Sequence, residues 1–300
     1  MNSAYIAIVL IGLLSAVVSG NNISAAVGTI IGSRIVSRNF GLILGAGGFS
    51  IGLIAEGRFL SNSLFLIMPE KSSLILIVLG VSIVMFAIAT VARIPLSLIM
   101  AIVGTSIGVG IKTGYNYNTP YIILIITIWI IAPMLAIVSS YFLNLNLNRI
   151  RINNIWLKAR FYKLFLVIIS FITAFALGAN TFGLLASLGG SSVLVIAVMI
   201  IAIFAGAAFM SGGVIRRVSQ DMYGMRYQNA TVSLLVSSLL VEGATLFSLP
   251  LPSTQTLTSS VFGTGLSYKT KAMHLKPFLI VVAMWIISPV LGIVLGYAIA

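Results

Sequence analysis

Apolar residues in this chain run unbroken over lengths that neither an amphipathic surface helix nor an alternating strand would show. The runs fall near 4–19, 39–56, 73–92, 96–111 and 121–143, then near 164–178, 191–210, 228–248, 254–268 and 277–299. A helix needs roughly 20 apolar residues to cross a hydrocarbon core of about 30 Å. Lipid offers the backbone no hydrogen-bond partner, so runs of this kind predict helices that satisfy their own peptide groups. The expected fold is therefore an all-α polytopic membrane protein. Five runs precede the longest polar stretch, Leu143 to Lys163, and five follow it. This divides the chain into a first transmembrane repeat (1–145), a basic cytoplasmic linker (146–163) and a second repeat (164–300). Five is odd, so the second repeat enters the membrane upside down relative to the first.

Two polar segments, 20–34 and 178–190, belong to no apolar run. The first opens Gly20-Asn21-Asn22-Ile23-Ser24 and reaches Gly28-Thr29; the second opens Gly178-Ala179-Asn180-Thr181. Each is followed by a Pro-Leu step into a helix rich in small residues, at Ile94-Pro95-Leu96-Ser97 and at Leu249-Pro250-Leu251-Pro252-Ser253-Thr254. The intervals agree: 73 residues from Asn22 to Pro95, and 69 from Thr181 to Pro250. Interruptions at corresponding places in two apolar halves point to a transporter's binding site built from broken or re-entrant helices.

Charge sharpens this reading. Only 7% of residues are charged, against roughly a quarter in a soluble domain, so no soluble domain is expected. The net charge of +13 invites a nucleic-acid reading, but its distribution argues against one. With Met1 outside, the inner loops receive Arg34, Arg38, Arg93, Arg149, Arg151, Lys158, Arg160, Lys163, Arg216, Arg217, Arg226, Lys269, Lys271 and Lys276. The outer loops receive Arg58, Lys71 and Lys112. This split of 14 to 3 is the positive-inside bias. It predicts a multi-pass cell-membrane protein with both termini outside. Residues 1–20 lack a basic leader and read as a retained first span. There is no cysteine, hence no disulfide or thiolate chemistry. Four acids and one histidine supply neither a paired-carboxylate enzyme site nor a metal cluster. An enzyme is not expected.

The broken segments resemble those of the inorganic phosphate transporter family of anion permeases. Members of that family carry Gly-Ala-Asn-Asp-x-Ala-Asn-x-x-Gly-Thr near the start of each half, and later Leu-Pro-Val-Ser-Thr-Thr-His leading into a helix that ends Gly-x-Gly. Ser19 to Thr29 and Gly178 to Leu184 match the first element. Leu249 to Gln255, continuing to Gly263-Thr264-Gly265, matches the second, with Ile94-Pro95-Leu96-Ser97 through Gly108-Val109-Gly110 as its first-half counterpart. The resemblance implies inverted repeats and ion-coupled phosphate transport by alternating access. The departures are Asn22 and Thr181 in place of the family's Asp, Ala25 and Leu184 in place of its second Asn, and Gln255 in place of its His. Losing both carboxylates weakens a sodium site, leaving neutral oxygens at Asn22 and Thr181, and lowers repulsion toward a dianion.

A tetrahedral oxyanion needs N–H and O–H donors from several directions, and helix N-termini supply them with a favourable dipole. The candidate ligands are Asn21, Asn22, Ser24 and Thr29, then Ser97, then Asn180 and Thr181, then Ser253, Thr254 and Gln255, read as side chains at four helix starts. Asn, Ser and Thr in such places also serve as simple caps or bond their own helix. Gly41, Gly45, Gly48 and Gly52 read as a helix-packing face. Glu242 lies within a span, where an ionisable group is a functional candidate, here for carrying a coupling proton. Glu56 and Glu70 read as solvated, Asp221 and His274 as loop residues, and Arg93 as a topology signal. The expected function is ion-coupled phosphate transport, with Na⁺ or H⁺ as coupling ion and no other cofactor. The alternatives are a proton-coupled sulfate permease, and an anion channel or non-transporting scaffold. The expected partners are phosphate or sulfate, the lipid bilayer and a second copy of the chain, with no nucleic acid.

Overall fold

The computed structural model of the protein describes residues 3–92, 96–149, 154–211, 227–268 and 275–300. These residues form helices joined by turns and short extended breaks. The first half holds α1 (Ser3–Gly32), α2 (Arg38–Glu56), a 3₁₀ turn (Gly57–Leu60), α3 (Ser72–Ala92), α4 (Leu98–Lys112) and α5 (Thr119–Arg149). The second holds α6 (Ile155–Leu177), a π-turn (Gly178–Phe182), α7 (Gly183–Ser187), α8 (Val193–Met210), α9 (Tyr227–Leu246), α10 (Ser253–Tyr268) and α11 (Leu275–Ile299). Their starts follow local chemistry. The side chains of Ser37, Ser97, Asn154 and Ser192 accept from backbone N–H groups in the first turns of α2, α4, α6 and α8, as capping residues do.

Eight helical stretches among the described residues are long and apolar enough to cross a membrane. α4 and α10 are not among them. At 15 and 16 residues they rise only about 22–24 Å, short of a hydrocarbon core. The interruptions therefore lie elsewhere than expected. α1 runs unbroken through Asn21, Asn22 and Ser24, and α6 continues through the π-turn into α7. No proline interrupts either segment, and Ser24 Oγ donates to the Asn21 carbonyl at 3.0 Å inside the helix. The broken elements are the ones that follow the Pro-Leu steps. The basic stretch assigned to the linker is carried largely on helix ends, since α5 runs to Arg149 and α6 begins at Ile155. Ile94-Pro95 and the residues Arg93, Asp221 and His274 lie outside the described residues.

The helices pair across the two halves: α1 packs on α8 and α2 on α6, while α4 packs on α11 and α10 on α5. Let α1 be matched with α6, α2 with α8, α4 with α10 and α5 with α11. Each pairing then becomes its partner when the halves are exchanged, which is how a duplicated unit packs. Glycine makes these contacts close. A Cβ on Gly206 would strike the Ala16 carbonyl, one on Gly52 that of Phe175, one on Gly178 that of Phe49 and one on Gly108 that of Ile293. Gly48 and Gly52 therefore do serve as a packing face toward α6, with Gly45 set against Ile23 and Gly41 against Ile31 of α1. The same correspondence appears in α5 and α11, where Trp129-Ile-Ile-Ala-Pro133 answers Trp285-Ile-Ile-Ser-Pro289. Outward faces are apolar, as with Ile123, Ile130 and Met134 of α5 or Ile286, Val290 and Val294 of α11.

Substitution of Gly108 or Gly206 by Ala should lower stability by about 1–3 kcal/mol, because backbones in contact must separate. Gly80→Ala, where an added methyl meets nothing within 4 Å, should be neutral or slightly stabilising. Thermal unfolding of the detergent-solubilised protein measures both. Equal melting temperatures for all three variants would contradict the packing described.

Candidate functional site

The extended break between α9 and α10 is held by an array of side chains. Ser248 has a left-handed backbone, φ 59°, and its carbonyl accepts from Ser63 Oγ at 3.1 Å and from Tyr121 OH at 2.6 Å. The Leu249 carbonyl accepts from Asn180 Nδ2 at 3.1 Å, and the Pro250 carbonyl from Trp129 Nε1 at 2.8 Å. Asn180 Oδ1 accepts in turn from the Leu251 N–H at 3.1 Å. Asn180 Nδ2 also donates to Thr245 Oγ1 at 2.8 Å. The π-turn aims this amide. Its extra residue shifts the side-chain register, Gly178 lets the turn lie on α2, and Phe182 packs on Phe49 with ring centroids 5.3 Å apart. Asn180 is thus a clamp on the break, with both ends of its amide committed.

Beside the clamp lies a small cavity lined by Asn22, Leu96, Ser97, Leu98, Ile99, Thr181, Pro252, Ser253 and Thr254. Four elements meet there, two from each half: α1, the start of α4, the π-turn and the start of α10. Five of the ten candidate ligands are brought together, namely Asn22, Ser97, Thr181, Ser253 and Thr254. Asn21, Ser24 and Thr29 lie elsewhere on α1, and Asn180 serves the break. Gln255 is buried with its Oε1 unpartnered but does not line the cavity. The expectation of four converging helix starts is corrected to two, because the Asn22 and Thr181 segments are helix interiors. Ser97 is the N-cap of α4, its Oγ 3.4 Å from the Met100 nitrogen. The first N–H groups of α4, those of Leu98 and Ile99, have no acceptor within their own helix, and both residues line the cavity.

Among the described residues, no charged one lines this space. Its polarity comes from hydroxyls, an amide and two helix N-termini, a combination that favours an anion without neutralising it. Neutral oxygens at Asn22 and Thr181 are the groups that could face a sodium ion. The cavity is about 10 Å³ in volume, room for roughly one water molecule. An oxyanion with four oxygens requires the lining elements to part.

Glu242, the candidate for proton coupling, sits one turn before Thr245 on α9. Its carboxyl meets that of Glu56 at the end of α2, and one oxygen of each is buried without a hydrogen-bond partner. The expectation that Glu56 is simply solvated is thereby corrected. The 186-residue separation of the two acids hid the pairing from the sequence. The pair brackets the π-turn: Gly57, next to Glu56, touches Gly183, and Thr245 holds Asn180. The Trp129 clamp was also missed, although the repeated Trp-Ile-Ile-x-Pro would have marked it.

Comparisons with known proteins agree with this architecture. Over 283 residues the chain is 25% identical to a protein of Methanocaldococcus jannaschii named Putative phosphate permease, covering 94% of this chain and 92% of that one. It is 25% identical over 299 residues to the sulfate permease CysP of Bacillus subtilis, covering 93% and 82%. A solved structure titled as the sodium-dependent phosphate transporter superposes with a TM-score of 0.86 at 15% identity, covering 99% of this chain and 98% of that one. It shares the fold. The sequence profile of the phosphate transporter family matches residues 18–296, and the chain belongs to that family.

Proposed function

We propose that this protein is a secondary transporter that moves inorganic phosphate across the cell membrane by alternating access, coupled to an ion. One observation carries the reading: the N-termini of α4 and α10, one from each half, converge on a neutral, donor-rich cavity. Two inverted repeats rocking about that cavity would expose it to each side in turn. Both termini lie outside, the orientation that places 14 of the 17 basic residues inside when α4 and α10, each with the extended break before it, are counted as crossings. Asn22, Ser97, Thr181, Ser253 and Thr254 bind the anion. Asn180 keeps the α9–α10 break open so that Ser253 and Thr254 can do so. Glu242, with Glu56, holds the coupling proton. A second reading, sulfate as substrate, is favoured by the lack of a carboxylate among the described residues at the cavity and by the sulfate permease among the relatives.

Uptake of labelled phosphate and sulfate into proteoliposomes, under imposed Na⁺ or H⁺ gradients in turn, tests the proposal. Saturable, gradient-driven accumulation of phosphate is expected. Ohmic conductance, or no flux of either anion, would overturn it. Ser97→Ala and Ser253→Ala should each raise KM about tenfold to a hundredfold, since a hydrogen bond to a charged group contributes about 1.5–3 kcal/mol. Asn180→Leu should instead lower the melting temperature, and a changed KM at unchanged stability would contradict its clamp role. Glu242→Gln should abolish concentrative uptake driven by a pH gradient while leaving anion counterflow intact. Accumulation that persists in this variant would remove Glu242 from coupling.

A further inference from the structure

A line of buried polar side chains runs along the interface of α9 and α10, and packing alone does not require it. Ser237 Oγ and Thr256 Oγ1 are 2.8 Å apart; two turns further along, Ser233 Oγ and Thr264 Oγ1 are 3.1 Å apart. Four residues of helix advance by about 40° beyond a full turn, so Ser260 points between Thr256 and Thr264 into the same interface. Ser260 is fully buried, and among the described residues its hydroxyl has no partner. Beyond Thr264 the line continues. Asn144 Nδ2 donates to Ser267 Oγ at 2.6 Å, Gln228 Nε2 donates to Asn144 Oδ1 at 3.2 Å, and Tyr162 OH donates to Gln228 Oε1 at 3.2 Å. One end lies at Ser253 and Thr254 in the cavity wall. The other reaches the helix ends that carry Arg149, Arg160 and Lys163. From Ser253 to Ser267 the helix rises about 21 Å.

Among the described residues the first half shows no such line. Counted from Pro95 and Pro250, the counterparts of Ser233, Thr256 and Thr264 are Val78, Ala101 and Val109. Ser82 answers Ser237. Thr105 answers Ser260, and its hydroxyl donates to the Ala101 carbonyl of its own helix. Helix packing would serve both halves alike, yet only one half carries paired hydroxyls. Acids are absent from the line as well, because Glu242 lies on α9 beyond its cavity end.

We infer that the α9–α10 interface is the route by which the oxyanion passes between the cavity and the basic helix ends. This rests on the transport reading above. Hydroxyls that bond one another across the closed interface turn toward the anion when it opens, so donors are exchanged without being stranded. The unpartnered Ser260 hydroxyl finds its ligand in the open state. Arg149, Arg160 and Lys163 raise the local anion concentration at the mouth.

The chain contains no cysteine, so one introduced thiol is unambiguous. Ser260→Cys in proteoliposomes should react with a membrane-impermeant, negatively charged thiosulfonate added from the side bearing Lys163. Phosphate or sulfate at about ten times its Kd should slow that reaction about tenfold. Val261→Cys, packed in the apolar cluster with Leu234 and Leu257, should stay unreactive, and Ser233→Cys provides a second probe within the line. Uptake is followed in the same vesicles. Transport by variants whose Ser260 and Ser233 thiols are unreactive, or reactive but unprotected by anion, would overturn the route and leave the transport reading standing. Absence of uptake in the unsubstituted protein would overturn both.

Discussion

Peptide groups in a broken helix have no intrahelical partner, and within a membrane bundle there is little water to replace one. Each group left bare there costs several kcal/mol. At the α9–α10 break this constraint is met by five hydrogen bonds, made by Ser63, Tyr121, Trp129 and Asn180 to residues 248–251. Three of those side chains come from the first half and one from the second. The two halves are therefore joined through the backbone whose next turn carries Ser253 and Thr254. The left-handed Ser248 persists because its carbonyl is held from two sides. With the break fixed, the α10 N-terminus is aimed at the cavity and meets that of α4.

On the proposed reading, the electrostatic consequence is a site that attracts an anion weakly enough to release it. Arginine or lysine in the wall would bind a dianion tightly and hold it. Hydroxyls and helix termini offer partial charges that favour entry and still permit exit. Among the described residues charge stays out of the cavity wall: Arg149, Arg160 and Lys163 sit toward helix ends, and the Glu56 and Glu242 carboxyls meet each other. The neighbours of these two acids, Gly57 and Thr245, touch Gly183 and Asn180 around the π-turn that contributes Thr181, so a change in the contact between the acids has a short mechanical path to the cavity. The close glycine contacts between α1 and α8, α2 and α6, and α4 and α11 let backbones meet directly. Such interfaces behave as rigid units, which rocking of one group of helices against another requires.

The apolar runs made the helices legible, and their boundaries fell within a few residues for α2, α3, α8, α9 and α11. Pro250 and the residue before it marked a true break, because proline removes a donor and pushes its predecessor out of the helical region. Asn21-Asn22-Ser24 looked like a break and is not one. Polar side chains are compatible with a helix whenever they face protein, and nothing in this segment forbids the i to i+4 pattern. Half of the candidate ligands line the cavity and half do not, for a related reason. Asparagine is equally suited to holding an anion and to clasping a bare peptide, and only geometry shows that Asn180 does the second while Asn22 faces the cavity. The Glu56–Glu242 contact and the α9–α10 polar line join residues distant in sequence, and no local pattern announces them.

The proposed transport cycle requires an oxyanion to sit between the starts of α4 and α10. A structure of the protein soaked with selenate, read from the anomalous signal of selenium, tests it most directly. The account predicts a peak within hydrogen-bonding reach of Ser97, Thr181 and Ser253. A well-ordered peak elsewhere in the bundle, with this cavity empty at saturating selenate, would contradict it.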